Sequence, residues 1–177
     1  MISKKSILSL TLSIGAMFPL TTIFALPPSS TGVAQYAYFN ETNTIIQTTG
    51  SIAPGNPFLI GDELINTIPT QITSSTNNHG TVYKLEAGTY IISYELSLVE
   101  AGSVALHTGT TSNSLTAINQ STAGSIIRGT WIHGNYALHI TSATYVSLCP
   151  TVRATPANPP GTASNNTVIR ILFQKIA

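Results

Sequence analysis

Few side chains in this sequence could carry out covalent chemistry. A nucleophilic hydrolase needs a serine or cysteine, a histidine, and a carboxylate that orients the histidine. Serines are plentiful, but the only aspartate is Asp62, the only cysteine is Cys149, and no Gly-x-Ser-x-Gly nucleophile elbow occurs. The sequence therefore predicts a protein that is not an enzyme. A hydrolase whose triad is assembled from scattered residues is the weakest of the functions considered.

Histidines are the residues that could bind a metal ion, and the sequence contains His79, His107, His133 and His139. Zinc needs three or four converging ligands, usually with closely spaced pairs along the chain. His133 and His139 fall on strands predicted to be neighbours, but no two histidines have the i, i+2 or i, i+4 spacing. We therefore expect no metal and no other cofactor.

Aromatic side chains offer the best chemistry for recognition, because Tyr and Trp rings stack on sugars and hydrogen-bond through their polar edges. Trp131, His133 and Tyr136 lie close together in the sequence and are the candidate ligand-binding residues. The alternative for Trp131 is burial in the core, which its neighbour Ile132 and its strand setting favour.

Charged residues are scarce along the whole chain. The 177 residues include 7 basic and 6 acidic side chains, so charged residues make up 7% of the sequence, against roughly a quarter in an ordinary domain. So few cations cannot neutralise a phosphate backbone, which excludes nucleic acid as a partner. The formal net charge of +1 also leaves little repulsion between copies and permits self-association.

The first residues have the pattern of a secretory signal peptide over 1–25. Lys4 and Lys5 precede an apolar stretch, and Ala25 is a suitable cleavage site. A retained membrane anchor is the alternative, but the apolar stretch is shorter than the ~20 residues that a span needs. After cleavage no membrane span is expected, and 26–32 form a short extended linker. The protein would then be secreted or held at the cell surface, or periplasmic in a bacterial host.

The single cysteine limits what can stabilise an exported domain. Cys149 has no second cysteine with which to form an intrachain disulfide. It lies in the apolar run Tyr145–Pro150, so we expect a buried thiol that packs like a small hydrophobic side chain.

The remaining residues, 33–177, have the pattern of one domain of about ten short antiparallel strands. Thr and aromatic residues favour strands, while Gly, Pro and Asn mark the turns between them. In the clearest strand, Gly88–Val99, apolar side chains alternate with Ser93, Glu95 and Ser97, as one buried and one wet face require. The fold class is therefore all-β, a two-sheet jelly-roll sandwich. A lectin-like or immunoglobulin-like sandwich with another strand order is the alternative.

Other runs complete this arrangement. A weak pair of strands is predicted around Thr44–Thr48 and Pro57–Ile60, with a turn at Ala53–Pro57 between them. Ser125–His133 and Tyr136–Ile140 are predicted as two separate strands, because glycine and asparagine stand between them.

The first and last strands are apolar on both faces. Val33–Asn40 and Thr167–Ile176 carry apolar side chains on each side of the strand, whereas each sheet of a two-layer sandwich has one exposed side. A second copy of the same sheet would cover that side, so the sequence predicts an oligomer. The candidate interface consists of Tyr36, Tyr38, Phe39, Ile169, Arg170, Ile171 and Phe173. Arg170 must either meet a carboxylate, a carbonyl or an anion there, or extend its head to water.

The run Gly88-Thr89-Tyr90-Ile91-Ile92-Ser93-Tyr94 resembles a central strand of the tumour necrosis factor (TNF)-like superfamily, which includes complement globular heads. The resemblance covers 33–177 and is nearest to the C-terminal domains of collagen-like bacterial and spore-surface glycoproteins. It implies a ten-strand jelly roll packed as a three-fold homotrimer, with the first and last strands near the axis. Two departures stand out: no Gly-x-y repeat precedes the domain, and Ser142-Ala143 replaces the usual Gly-Asp.

Together these patterns predict an exported, trimeric, non-enzymatic interaction module. It would bind a cell-surface or extracellular partner, either a protein or a glycan, through outer loops such as 108–120 and 150–166. The alternative is a carbohydrate-binding lectin domain that holds the sugar on a Tyr/Trp platform.

Overall fold

The computed structural model describes residues 35–42, 50–157 and 167–176. The predicted signal peptide, the linker and the weak strand at Thr44–Thr48 lie outside the described residues. Within them, the regular structure consists of a 3-10 turn at Asn119–Ser121 and of the strands β1 (Tyr36–Thr42), β2 (Asp62–Asn66), β3 (Ile72–Thr76), β4 (Thr81–Leu85), β5 (Gly88–Ser97), β6 (Gly102–Thr111), β7 (Ser114–Ala117), β8 (Ala123–Ser125), β9 (Trp131–Ile140), β10 (Thr144–Pro150) and β11 (Thr167–Lys175).

The strands form two antiparallel sheets. The first sheet has the order β2-β1-β11-β5-β9, and the second has the order β3-β4-β10-β6-β7, with β8 paired to β6. This confirms the prediction of an all-β, two-sheet jelly-roll sandwich. The first and last strands pair directly, with Tyr38 opposite Leu172, as their shared apolar character led us to expect.

The core lies between the sheets and follows the alternation of the strands. On β5 the side chains of Tyr90, Ile92, Tyr94 and Leu96 are buried, while those of Ser93 and Glu95 are partly exposed. Ser97 differs from the prediction of a wet position, since it is fully buried. Three rings meet in the centre: Tyr83 lies 4.7 Å from both Phe39 and Phe173, measured between ring centroids.

The prediction of two separate strands at Ser125–His133 and Tyr136–Ile140 is wrong, because the structure has one long strand, β9, from Trp131 to Ile140. Gly134 lies within this strand and pairs with Tyr94 of β5. A Cβ atom at Gly134 would lie 2.0 Å from the Tyr94 ring. The glycine therefore makes room for a packed ring and does not end the strand.

The predicted turn at Ala53–Pro57 is confirmed, but the strand predicted at Pro57–Ile60 is wrong, because the next strand is β2 at Asp62–Asn66. Asn56 N donates to Ala53 O at 3.1 Å, and Gly55 has a φ of 78°. A positive φ at the third residue, after Pro54, is characteristic of a type II turn. Among the residues that the structure describes, no helix has the length and the hydropathy that a membrane crossing requires.

Candidate functional site: the outer face of the first sheet

The side of the first sheet that faces away from the core is the candidate site, and it is called the outer face below. Its residues follow from strand register, because successive side chains of a strand point to opposite sides. Ile169, Ile171 and Phe173 of β11 are buried in the core, so Arg170, Leu172 and Gln174 point outward. Three rows cross the strands β1, β11, β5 and β9 in order: Asn40-Arg170-Glu95-His133, Tyr38-Leu172-Ser93-Asn135 and Tyr36-Gln174-Ile91-Ala137.

Arg170 is the centre of the charged row. Its Nη1 atom donates to Glu95 Oε1 at 2.5 Å, and His133 Nδ1 lies 3.3 Å from Glu95 Oε2. The guanidinium carbon also lies 5.8 Å from the centre of the Trp131 ring, within the range of a cation–π contact. Of the alternatives left open by the sequence, Arg170 therefore meets a carboxylate. Its Nε atom is buried and has no hydrogen-bond partner among the described residues.

The structure brings together two of the three candidate ligand-binding residues. Trp131 and His133 both lie on the outer face, with ring centroids 6.4 Å apart. Tyr136 lies on the other side of β9, where it packs against the core. A single aromatic platform of Trp131 and Tyr136 is therefore not formed within one chain.

The seven candidate interface residues separate into two groups. Phe39, Ile169, Ile171 and Phe173 are buried between the sheets, where they stabilise the chain itself. Tyr36, Tyr38 and Arg170 lie on the outer face and are partly exposed. The sequence could not separate the groups, because both sides of the terminal strands carry apolar residues.

Several residues of the outer face were not selected from the sequence. Leu172 and Ile91 add aliphatic surface beside Tyr38 and Tyr36, and both are only partly exposed. The alternation along β5 places Glu95 on the wet side of the strand but does not identify it as the partner of Arg170. The signal for that role was present, since Glu95 is the one charged residue in an otherwise uncharged strand.

On this face, burial and the nearby ion pair shift the pKa of Tyr38. Burial raises the pKa of Tyr38, an effect that the nearby Arg170 partly offsets and Glu95 reinforces. His133 is mostly exposed, so its contact with Glu95 is open to solvent. The arrangement presents rings, aliphatic groups and a paired charge on one side of a sheet, which suits packing better than covalent catalysis.

Elsewhere in the described part of the chain, no group of three or more His, Cys, Asp or Glu side chains could hold a metal ion. His139 Nδ1 lies 3.0 Å from Thr89 Oγ1, which gives it an ordinary hydrogen bond. Cys149 is buried, as expected, and burial raises the pKa of its thiol to about 12. A thiol that stays protonated is a poor nucleophile.

Comparisons with known proteins were informative at the level of structure. Neither a protein-family model nor a curated protein sequence significantly matches this chain. The solved structure of Eiger TNF from S. frugiperda is similar over 81% of this chain and 93% of its own, with a TM-score of 0.53 and 13% identity. The fold is a TNF-like jelly roll.

Two further structures are similar. Murine APRIL matches over 80% of this chain and 100% of its own, with a TM-score of 0.50 and 6% identity. The globular domain of zebrafish complement 1qA protein matches over 82% of this chain and 98% of its own, with a TM-score of 0.48 and 13% identity. The similarity to Eiger TNF confirms the sequence resemblance to the TNF-like superfamily at the level of the fold. Identities this low carry no residue roles from those proteins to this TNF-like jelly roll.

Proposed function

We propose that this protein is an exported, non-enzymatic recognition module that forms a homotrimer through its outer face and binds an extracellular or cell-surface partner through its loops. The observation that carries the trimer is the outer face itself. Tyr36, Tyr38, Leu172, Ile91 and Trp131 all lie on it and are half-buried. The one guanidinium on this face already has its counterion in Glu95, so covering the face does not leave an unpaired charge.

Export rests on the signal-peptide pattern of 1–25, and the domain is assigned to 33–177 with a linker between. The sequence resemblance to the C-terminal domains of collagen-like bacterial and spore-surface glycoproteins supports a place at a cell surface, or in the periplasm of a bacterium. N-terminal sequencing of the exported protein should give Leu26 as the first residue. Recovery of exported protein that begins at Met1 would contradict the proposed cleavage.

Light scattering coupled to size-exclusion chromatography tests the trimer. The secreted protein should have three times the mass of one chain. Leu172→Glu places a charge in the middle of the proposed interface, where burying it costs several kcal/mol, so this variant should dissociate. Thr116→Glu is the matched control, because Thr116 is exposed on β7 of the second sheet; its mass should not change.

Two outcomes would reject this interface. A wild-type protein that stays monomeric at high concentration removes the trimer altogether. A Leu172→Glu variant that remains trimeric and folded would show that the interface lies on another surface.

Glycan binding is the alternative kept from the sequence. Tyr136 cannot share a Tyr/Trp platform with Trp131, because the two lie on opposite sides of β9, whereas Tyr36 and Tyr38 lie on the same face of the sheet as Trp131. A glycan array with the secreted protein separates a lectin from a protein-binding module: uniform, weak signals across all glycans would favour a protein receptor.

A further inference from the structure

Away from the outer face, three loops line a solvent-open depression of about 300 Å³, called the cavity below. Its basic side chains are His79, which follows β3, and Arg153, which follows β10; Asn56 and Asn78 contribute amides, and Ile52 and Leu59 contribute aliphatic groups. No acidic residue lines it. The chain has only 7 lysine and arginine residues, and one of them, Arg153, shares this small cavity with a histidine.

Among the residues that the structure describes, the basic side chains of the cavity have no carboxylate partner. The ion pairs among the described residues involve Glu86 and Glu95, and neither Arg153 nor His79 takes part in them. An arginine beside amides and without an internal counterion is suited to bind an anion, because its guanidinium can donate two parallel hydrogen bonds to a carboxylate or a similar group.

Hydrogen bonds within the loops, between the loops and to the end of β10 hold the three loops in place. Ile52 and Ala154 exchange two backbone hydrogen bonds of 2.8 and 3.0 Å, which fixes the chain beside Arg153. Asn77 Oδ1 accepts from the backbone N atoms of His79 and Gly80 at 2.8 and 3.0 Å. Gly55 N donates to Pro150 O at 2.9 Å and anchors the turn that carries Asn56. A ligand would therefore meet a cavity that is already formed.

We propose that this cavity binds an acidic sugar, a single pyranose ring that carries one carboxylate or sulfate group. Arg153 and His79 would hold the anionic group, Asn56 and Asn78 the hydroxyls, and Ile52 and Leu59 the C–H face of the ring. The volume is at the lower end of the range of ligand sites, which suits one sugar unit. This inference rests on the proposed recognition function but not on the trimer, since the lining residues come from one chain.

Saturation-transfer NMR with the secreted protein tests the proposal, with glucuronic acid, N-acetylglucosamine 6-sulfate and glucose as observed probes. Inorganic sulfate has no protons to observe, so its binding is measured by its displacement of the acidic sugars. At least one of the two acidic sugars should bind at least about tenfold more tightly than glucose, a difference of 1.4 kcal/mol. The probe that binds better identifies the anionic group. Equal binding of glucose, equal binding of inorganic sulfate, or no binding of either acidic sugar at several millimolar would overturn the proposal.

Arg153→Gln keeps a polar side chain and removes the charge. This variant should therefore bind the preferred acidic sugar about tenfold or more less tightly than the wild type does. The matched control is Arg128→Gln, because Arg128 is also exposed but does not line the cavity; its binding should equal that of the wild type. Equal losses in both variants would show that binding follows overall charge and would reject the site. Light scattering on the same samples reports the trimer separately, so a failure of the sugar site is distinguishable from a failure of the assembly.

Discussion

The outward sides of the two sheets differ in how completely their side chains are buried. In the second sheet, Ala105 pairs with Cys149 and His107 with Ser147, and all four side chains are buried although they point away from the core between the sheets. Other parts of the same chain therefore cover this side. In the first sheet, Tyr36, Tyr38 and Leu172 occupy equivalent outward positions and remain partly exposed.

This difference shows which surface has room for a partner. The part of this side that the chain already covers offers little area to bury. Ser147 Oγ there donates to Thr81 O, whereas His107 Nδ1 is buried without a hydrogen-bond partner among the described residues. The outer face of the first sheet still has aromatic and aliphatic area to remove from water, at about 25 cal/mol per Å². The outward side of the first sheet is therefore the better candidate for an interface.

The largest effect is expected where the two sheets meet. Phe173 contacts both Phe39 and Tyr83 in the core, so Phe173→Ala should lower the free energy of unfolding by about 3–5 kcal/mol. Leu172→Ala changes the neighbouring residue on the outer face and should cost the isolated chain roughly 1 kcal/mol or less. Urea unfolding measures both, at a protein concentration at which light scattering shows a monomer, because a trimer would add the loss of its interface to the cost of Leu172→Ala. Similar losses would mean that the assignment of the two sides of β11 is reversed.

A smaller effect compares one buried and one exposed serine. Ser147 Oγ donates to Thr81 O at 2.6 Å and is fully buried, so Ser147→Ala leaves a buried carbonyl unpaired and should cost about 1–3 kcal/mol. Ser93 lies on the outer face near Asn135, at 3.4 Å, and Ser93→Ala should cost less than about 0.5 kcal/mol. If thermal unfolding shows equal costs, the second sheet is no better covered than the first.

The last prediction concerns the ionisation of Cys149, which has little influence on the free energy of unfolding at neutral pH and a larger influence at alkaline pH. Burial raises the pKa of this thiol from 9.0 to about 12, so the folded chain keeps a proton that the unfolded chain loses. The stability that this provides is complete below pH 9 and is lost as the pH rises toward 12. Urea unfolding between pH 9 and 11 should therefore show falling stability, and Cys149→Ala should reduce the slope. Tyr94, whose pKa burial also raises to about 12, accounts for part of the slope that remains.

Alkylation provides the control for Cys149. Iodoacetamide at pH 8 should label the native thiol at least about a hundredfold more slowly than the urea-unfolded thiol, because the thiolate is the reactive form and it is rare in the native chain. Rapid labelling of the native protein would contradict a covered outward side of the second sheet.

Local patterns in the sequence predicted much of the fold. The alternation along Gly88–Val99 gave β5 and its buried side, apart from Ser97. The Pro54-Gly55 pair gave the turn, because a proline followed by a glycine suits the backbone angles of a type II turn. These features depend on neighbours a few residues apart, which is the range over which sequence patterns are informative.

The candidate sites depended on residues far apart in the chain. Arg170 and Glu95 are 75 positions apart, and the cavity joins loops near positions 52, 79 and 153. Gly134 suggested a strand end, since nothing in the sequence shows that the Tyr94 ring fills the space beside it. Such meetings are set by strand register, which a single sequence does not display.

By itself the sequence determined that this chain forms short antiparallel strands, that the terminal strands are apolar on both sides, and that charge is scarce. Only the tertiary structure decided which side of β11 faces the core, which carboxylate neutralises Arg170, and which basic side chains share the cavity. The physical reason is that alternation fixes which residues share a side of a strand, whereas packing against distant strands decides which of the two sides is buried.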